Sequence, residues 1–353
     1  MKMIKPLLFT LTLLLAGQLS AQDVHWSLFN FAPLNLNPAQ TGDFEGTFRI
    51  GGIYRDQARA VSDNSAYSTP NIHVDAPLFM VGKRNWVGLG ANVYSDKTGT
   101  GSLTTTSAQL SAAIHAPTNR KGTSVFSFGI QGGLVNQSID TKDLQFGDGF
   151  LAGPTEYTYD PTNTMSTQAT DLEDKGSYLD FGAGAMIKSE INKQTDMMFG
   201  IAVRHLTAPK YSLIKGNTPG TDSTSTRKPV RINFHGKFDF ALNKKWTLSP
   251  TFLYSQMRGS GSNIQLQAMM GYLFNPEKEV TLNFGLGYRM EDALEALVGL
   301  DYKSFRVGAS YDLTLSDFSD SNKYVGGFEL GVSYIAVIFK KAEVKPVIFC
   351  PRF

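Results

Sequence analysis

The sequence predicts an all-β chain: a transmembrane antiparallel up-and-down β-barrel of about 14 strands, with an N-terminal arm and a short C-terminal tail. Three observations predict it. Segments of roughly ten residues alternate apolar and polar side chains with a period of two through most of the chain, the pattern of a strand with two different faces. Beyond Ala21, no segment approaches the ~18 to 20 uninterrupted apolar residues of a membrane helix; Val332 to Phe339 is the longest candidate and is too short. The connections also differ in length and charge at the two ends of the strands. A membrane role must therefore use strands, since only helices and closed barrels satisfy every backbone group in hydrocarbon.

Bulk composition agrees. An aromatic content of 12% and 34 glycines suit strands and turns better than helices. The net charge of +2 gives no footprint for nucleic acid. Met1 to Ala21 reads as a Sec-type signal peptide: Lys2 and Lys5 precede an apolar run, and Leu19-Ser20-Ala21 offers a small-residue cleavage site. The mature chain keeps only Cys350, which excludes an internal disulfide framework and reads as an unreactive tail residue. Domain boundaries follow as 1–21 signal peptide, 22–44 arm, 45–340 barrel and 341–353 tail. The arm is aromatic but aperiodic, the composition of a plug or a periplasmic segment, and ends in the turn-like Asn37-Pro38-Ala39-Gln40-Thr41-Gly42.

The alternation then runs in order. Phe48, Ile50, Gly52 and Tyr54 oppose Arg49, Gly51 and Arg55; Ile72, Val74 and Ala76 oppose His73 and Asp75. Val87 to Val93, Ala108 to Ala116 (with His115 on the polar side), Phe126 to Leu134, Leu179 to Ile187 (with Asp180 polar) and Phe199 to Val203 continue it. Val230 to Phe240 is the plainest case: Val230, Ile232, Phe234, Gly236, Phe238 and Phe240 against Arg231, Asn233, His235, Lys237 and Asp239. Leu248 to Tyr254, Ile264 to Met270 and Val280 to Tyr288 follow, the last leading to Arg289. Ala296 to Tyr302, Phe305 to Tyr311 (with Arg306 and Asp312 polar) and Phe328 to Tyr334 (with Glu329 polar) complete the set.

One strand cannot distinguish a soluble sandwich from a membrane barrel, because both bury one face. The connections decide. Even-numbered ones are mostly short and basic, carrying Lys83-Arg84, Arg120-Lys121, Lys188 and Lys193, Lys244-Lys245, Lys278 and Lys303. Two odd-numbered ones, Gln137 to Lys175 and Thr207 to Lys228, are long and polar, although those at Arg258-Gly259 and Arg289-Met290 are short. Tight turns at one end and loops at the other fit an outer-membrane barrel, and an even strand number places both termini in the periplasm. The polar list then faces the lumen: Arg49, His73, Asp75, His115, Asp180, Arg231, Asn233, His235, Lys237, Asp239, Arg289, Arg306, Asp312 and Glu329.

Chemistry-bearing motifs are sparse. Gly88-Leu89-Gly90, Gly182-Ala183-Gly184 and Gly285-Leu286-Gly287 lack the third glycine and following helix of a dinucleotide fingerprint; they read as places where the wall bends or an inner segment approaches. The five histidines lie far apart without ligand spacing, and no serine sits in a nucleophile elbow, so no metal, cofactor or catalytic residue is assigned. The acidic stretch Gln137 to Lys175 reads as a solvated loop, its spacing unlike an EF-hand.

The chain resembles the PorP/SprF family of outer-membrane proteins attached to the type IX secretion and gliding machinery of Bacteroidota. The likeness is carried by Asn37-Pro38-Ala39-Gln40-Thr41-Gly42, Tyr54-Arg55-Asp56-Gln57, Asp96-Lys97-Thr98-Gly99, Gly326-Gly327-Phe328-Glu329 and Cys350-Pro351-Arg352-Phe353. The resemblance implies a non-enzymatic barrel that supports export or surface attachment of cargo proteins bearing a conserved C-terminal domain. Implied partners are those cargo domains, periplasmic and outer-membrane secretion components, and membrane lipid. The residues themselves leave two alternatives open: a general porin or small-solute channel, and a soluble extracytoplasmic β-sandwich.

Overall fold

A computed structural model of the chain describes residues 23–57, 67–99, 101–140, 144, 150–152, 157–159, 174–211, 213, 227–259, 261–316, 319 and 323–338. The stretch read as a signal peptide, residues 339–353 with Cys350, and most of the stretch read as an acidic loop lie outside these residues.

Alternating segments become strands wherever the sequence alternates, because a pleated backbone sends successive side chains to opposite faces. Five strands come first: β1 (Phe48–Gln57), β2 (Tyr67–Val81), β3 (Asn85–Thr98), β4 (Leu103–Pro117) and β5 (Ser124–Ser138). Within the next connection, β6 (Phe150–Ala152) pairs with β7 (Tyr157–Tyr159) as a separate two-stranded ladder. The wall resumes with β8 (Lys175–Asn192), β9 (Thr195–Arg204), β10 (Arg231–Ala241), β11 (Trp246–Met257) and β12 (Ser262–Asn275). It ends with β13 (Val280–Arg289), β14 (Ala293–Tyr302), β15 (Phe305–Thr314) and β16 (Val325–Ala336).

Each wall strand pairs antiparallel with its neighbours in sequence, and β1 closes on β16 from Phe48↔Ala336 to Gln57↔Gly327. Closure leaves the wall without a free edge, so the sandwich alternative is overturned. Pro77, which cannot donate to a ladder, sits where the β2–β3 register shifts, a position that tolerates it. The short connections 82–84, 118–123, 193–194, 242–245, 276–279 and 303–304 share the turn end, and all but 276–279, where Glu277 and Glu279 flank Lys278, are net basic; the strand ends Gln57, Tyr67, Ser138, Lys175, Arg204 and Arg231 lie at the opposite, loop end.

The two faces have inverted chemistry. Outward side chains such as Ile72, Leu110, Phe128, Leu179, Phe234, Leu286 and Val298 are exposed, while most polar partners of the alternation are buried. The core is thus on the inside of the wall and largely polar; the arm adds an apolar cluster to it, with Trp26, Leu28, Phe31 and Ala32 packed against Ile53 and Leu297 of the wall. The arm folds as a 3₁₀ turn (Phe29–Phe31), a four-residue helical turn (Pro33–Leu36) and a second 3₁₀ turn (Pro38–Gln40).

An even strand count places both ends of the barrel proper at the turn end, but Asp23 lies at the loop end, beside His205, Lys228 and Arg231. The difference arises because the arm crosses the lumen before β1 begins. At the turn end, Gly42 accepts from Trp86 Nε1 at 3.1 Å and Asp43 pairs with Lys188 at 2.9 Å.

Candidate functional site

The candidate site is the lumen, where wall side chains meet the arm. Three docking points hold the arm along its path.

At the loop end, Asp23 Oδ2 lies 3.1 Å from His205 Nε2 and 3.1 Å from Arg231 Nη1, and Asp23 Oδ1 lies 3.5 Å from Lys228 Nζ. Burial opposes the charge on Asp23, but Lys228, His205 and Arg204 outweigh it and hold the carboxyl well below the usual carboxylate range. Burial also opposes the charge on Lys228, and Asp23 together with Tyr94 and Tyr211 outweighs it, pushing the ammonium up. Asp180 accepts from His205 Nδ1 at 2.9 Å and from Gln109 Nε2 at 3.2 Å, behind this point.

The second point surrounds Ser27. Its Oγ donates to Asp312 Oδ1 at 2.8 Å and accepts from Arg55 and Arg289. Its N–H and that of Leu28 donate to Glu329, and its carbonyl accepts from Gln265 and Gln267. Arg289 pairs with Asp312 at 2.6 Å and Glu295 at 3.2 Å, and Arg55 pairs with Glu329 and Asp312. Three buried carboxylates thus face two buried guanidinium groups, and the arm's amide N–H groups supply the balance of donors. Without such donors, buried carboxylates are costly.

The third point is Asn37-Pro38-Ala39-Gln40-Thr41-Gly42. Asn37 Oδ1 caps the turn by accepting from Ala39 N at 2.9 Å, with Pro38 in the first helical position where no N–H is needed. Asn37 Nδ2 meets His235 Nε2 at 3.0 Å and the carbonyls of Ala185 and Ile201. Thr41 O lies 2.8 Å from His115 Nε2, and Thr41 Oγ1 lies 2.9 Å from Ser111 Oγ. The wall is glycine where this turn touches it: a Cβ on Gly88 would overlap Thr41, on Gly129 Pro38, and on Gly184 the Asn37 side chain. Gly182 and Gly285 abut neighbouring strands instead.

The remaining polar residues of the alternation divide by depth. Arg49 forks onto Asp75, which also accepts from Gly42 N at 2.7 Å. His73 is buried, and its ring nitrogens have no hydrogen-bond partner among the described residues. Arg231 and Asn233 bond each other, Ser255 and the arm carbonyls of Val24 and Leu36. Lys237 and Asp239 pair at 2.9 Å near the turn end. Arg306, its side chain 57% exposed, pairs with Asp301 at 3.0 Å. These last two pairs line a cavity of about 250 Å³ under Leu28 and Phe31; a second of about 360 Å³ adjoins it at Asn30 and Phe31.

Sequence reasoning missed Asp23 and Ser27, which lie in an aperiodic segment, and Glu295, which precedes the stretch assigned to its strand; it read Asn37 as the start of a turn but not as a contact with the wall. Arg204 carried the alternation signal without being singled out, and Arg55 was noted only within the alternation and the Tyr54-Arg55-Asp56-Gln57 motif. Among the described residues no group of three metal-ligating side chains converges.

A closed antiparallel barrel with an apolar outside and a polar, filled inside is a transmembrane β-barrel of the outer-membrane type. Residues 18–334 match the type IX secretion system membrane protein PorP/SprF family. The chain belongs to that family and is an outer-membrane barrel of the type IX secretion system, a membership that implies contact with other components of the apparatus. No curated protein matches. Among solved structures, a deltaS2S3 mutant of the TodX monoaromatic hydrocarbon channel is similar at 12% identity, with 86% of this chain and 93% of that one covered and a TM-score of 0.49. The CymD monoaromatic hydrocarbon channel follows at 10%, 90%, 92% and 0.46. The translocator domain of the autotransporter NalP from Neisseria meningitidis gives 12%, 87%, 94% and 0.41.

Proposed function

We propose that the protein is a non-enzymatic, plugged barrel that supports export or surface attachment of cargo proteins bearing a conserved C-terminal domain, after Sec-dependent delivery of the barrel itself. Family membership supports the secretion context. The observation that carries the plugged character is the arm: from Asp23 to Asp43 it spans the lumen and bonds to both sides of the wall, at Ser27 and at Asn37. A general porin needs an open, hydrated lumen, and this arm stands in its path. Cargo is recognised at the loop end or in the lumen, and the basic turns face periplasmic partners.

A mild-detergent pull-down followed by mass spectrometry tests the reading. Co-purification of a secreted cargo or a secretion component is expected; recovery of neither overturns the cargo role. In planar bilayers the protein should give little steady conductance, and a large, steady open pore would return the porin reading.

A further inference from the structure

We infer that the loop-end nest around Asp23 is a receptor for an acidic peptide segment, and that Asp23 is its resident intramolecular occupant. Arg204 ends β9, Arg231 opens β10, and His205 and Lys228 belong to the connection between them. The arm contributes no cation to the nest: Arg204, His205, Lys228 and Arg231 all belong to the wall and its connection, and the arm supplies acceptors, Asn35 to Arg204 and Val24 O to Arg231. With Asp23 in place, Lys228 and Arg231 pair with Asp23, His205 bridges Asp23 and Asp180, and Arg204 interacts electrostatically with both carboxylates. Without Asp23, Lys228 and Arg231 lose their carboxylate partner, and Asp180 is already engaged by His205 and Gln109. A buried excess of positive charge is costly and is relieved by taking up an anion.

The nest also holds unused hydrogen-bonding capacity. Arg204 Nη2 is buried and has no acceptor among the described residues. A notch of about 40 Å³ leads to Asp23 and Arg231 past Ser255 and Asn263. Beside it, His25 Nε2 and Asn263 Oδ1 lack partners among the described residues. The occupant in place is itself a peptide: a carboxylate followed by the non-helical stretch Val24 to Trp26, with Arg231 Nη1 donating to Val24 O at 2.8 Å. An external segment with a carboxylate and an accepting carbonyl one residue on fits the same cations. The nest lies at the loop end, where such a segment meets the barrel from outside. The inference rests on the cargo reading only for the source of that segment.

Tethered Asp23 competes at a high effective concentration, so the unaltered protein binds an external acid weakly. The test uses the full-length, detergent-solubilised barrel and fluorescein-labelled hexaglutamate, with hexaglutamine as control, read by fluorescence anisotropy at physiological salt. Asp23→Asn should bind hexaglutamate about ten-fold more tightly than the unaltered protein, with no gain for hexaglutamine. Adding Arg231→Gln should abolish the gain. Equal binding by the unaltered and Asp23→Asn proteins, or an equal gain for hexaglutamine, overturns the receptor. Heat-modifiable migration confirms that each variant is folded. Should Asp23→Asn fail to fold, the unaltered protein supplies a second readout: millimolar hexaglutamate, and not hexaglutamine, should expose the arm to protease, and no exposure overturns the inference. A pull-down empty of cargo would overturn the export reading while leaving these peptide results standing.

Discussion

The backbone N–H groups of Ser27 and Leu28 both donate to the Glu329 carboxylate, each at 2.7 Å, tying the first part of the arm to the last strand of the wall. Glu329 also pairs with Arg55, and both side chains are buried. Glu329→Ala would leave two amide donors without their acceptor and remove one of the two carboxylates paired with Arg55, leaving Asp312. Breaking a buried pair from one side costs about 3 to 5 kcal/mol. The expected result is a lower temperature for the heat-modifiable band shift together with protease cleavage near Trp26. A variant as stable and as protected as the parent would mean that the arm is not held here.

A second prediction concerns the turn that Asn37 caps. Gly129 faces Pro38 so closely that any added side chain must move the arm or the wall. Gly129→Leu should destabilise by about 1 to 3 kcal/mol through overpacking. The load falls on the arm, which lacks the ladder that fixes β5 to β4 and β8. The measurement is single-channel conductance: the variant should conduct where the parent does not, with the barrel still migrating as a folded band.

The outer face gives a third. Phe234 is 43% exposed on the lipid side, between Ile201 and Tyr254 in the ladder. Phe234→Arg should cost about 2 to 4 kcal/mol near the midplane. Lys237, on the opposite face three residues on, is partly exposed to the turn-end cavity, and its pair with Asp239 is worth little, so Lys237→Gln should cost under about 1 kcal/mol. Equal losses in a urea refolding titration into liposomes would mean that the two faces are assigned to the wrong solvents.

How much of this was legible in the sequence depends on period. The wall was legible because a two-residue repeat is local: Val230 to Phe240 gave its two faces without knowledge of any partner strand, and the structure starts that strand one residue later, at Arg231. Gly88 and Gly184 were legible as points of close approach, but not what approached them. The arm was not legible, because its order comes from contacts across hundreds of residues, such as Ser27 with Asp312, and not from any repeat of its own. Its direction was lost for the same reason: strand parity fixes the ends of the wall and says nothing of a segment that crosses the lumen before the first strand. Depth was illegible too. Asn233 and Lys237 belong to one alternation, yet Asn233 is bonded to the arm while Lys237 borders a cavity.

The last prediction follows from two titrating groups at the head of the arm. Burial keeps His25 neutral, and nearby Arg55, Arg289 and Arg231 add to the effect, so its value in the docked arm lies well below the usual imidazole range. An undocked arm protonates His25 as pH falls through about 6.5, while the docked arm does not. Docking therefore weakens below that pH, by about 1.4 kcal/mol per pH unit for one proton. Asp23 has the opposite chemistry and the same direction. Its value is depressed in the docked arm, so its contribution is complete above the undocked value of about 4 and is lost as pH falls from there through the docked value. Protease protection of residues near Trp26 should be flat above about pH 7, decline below about 6.5 and decline more steeply below about 4. His25→Gln should remove the upper decline and leave the lower one; Asp23→Asn should do the reverse. A single transition unaffected by either substitution would place the pH sensitivity elsewhere in the barrel.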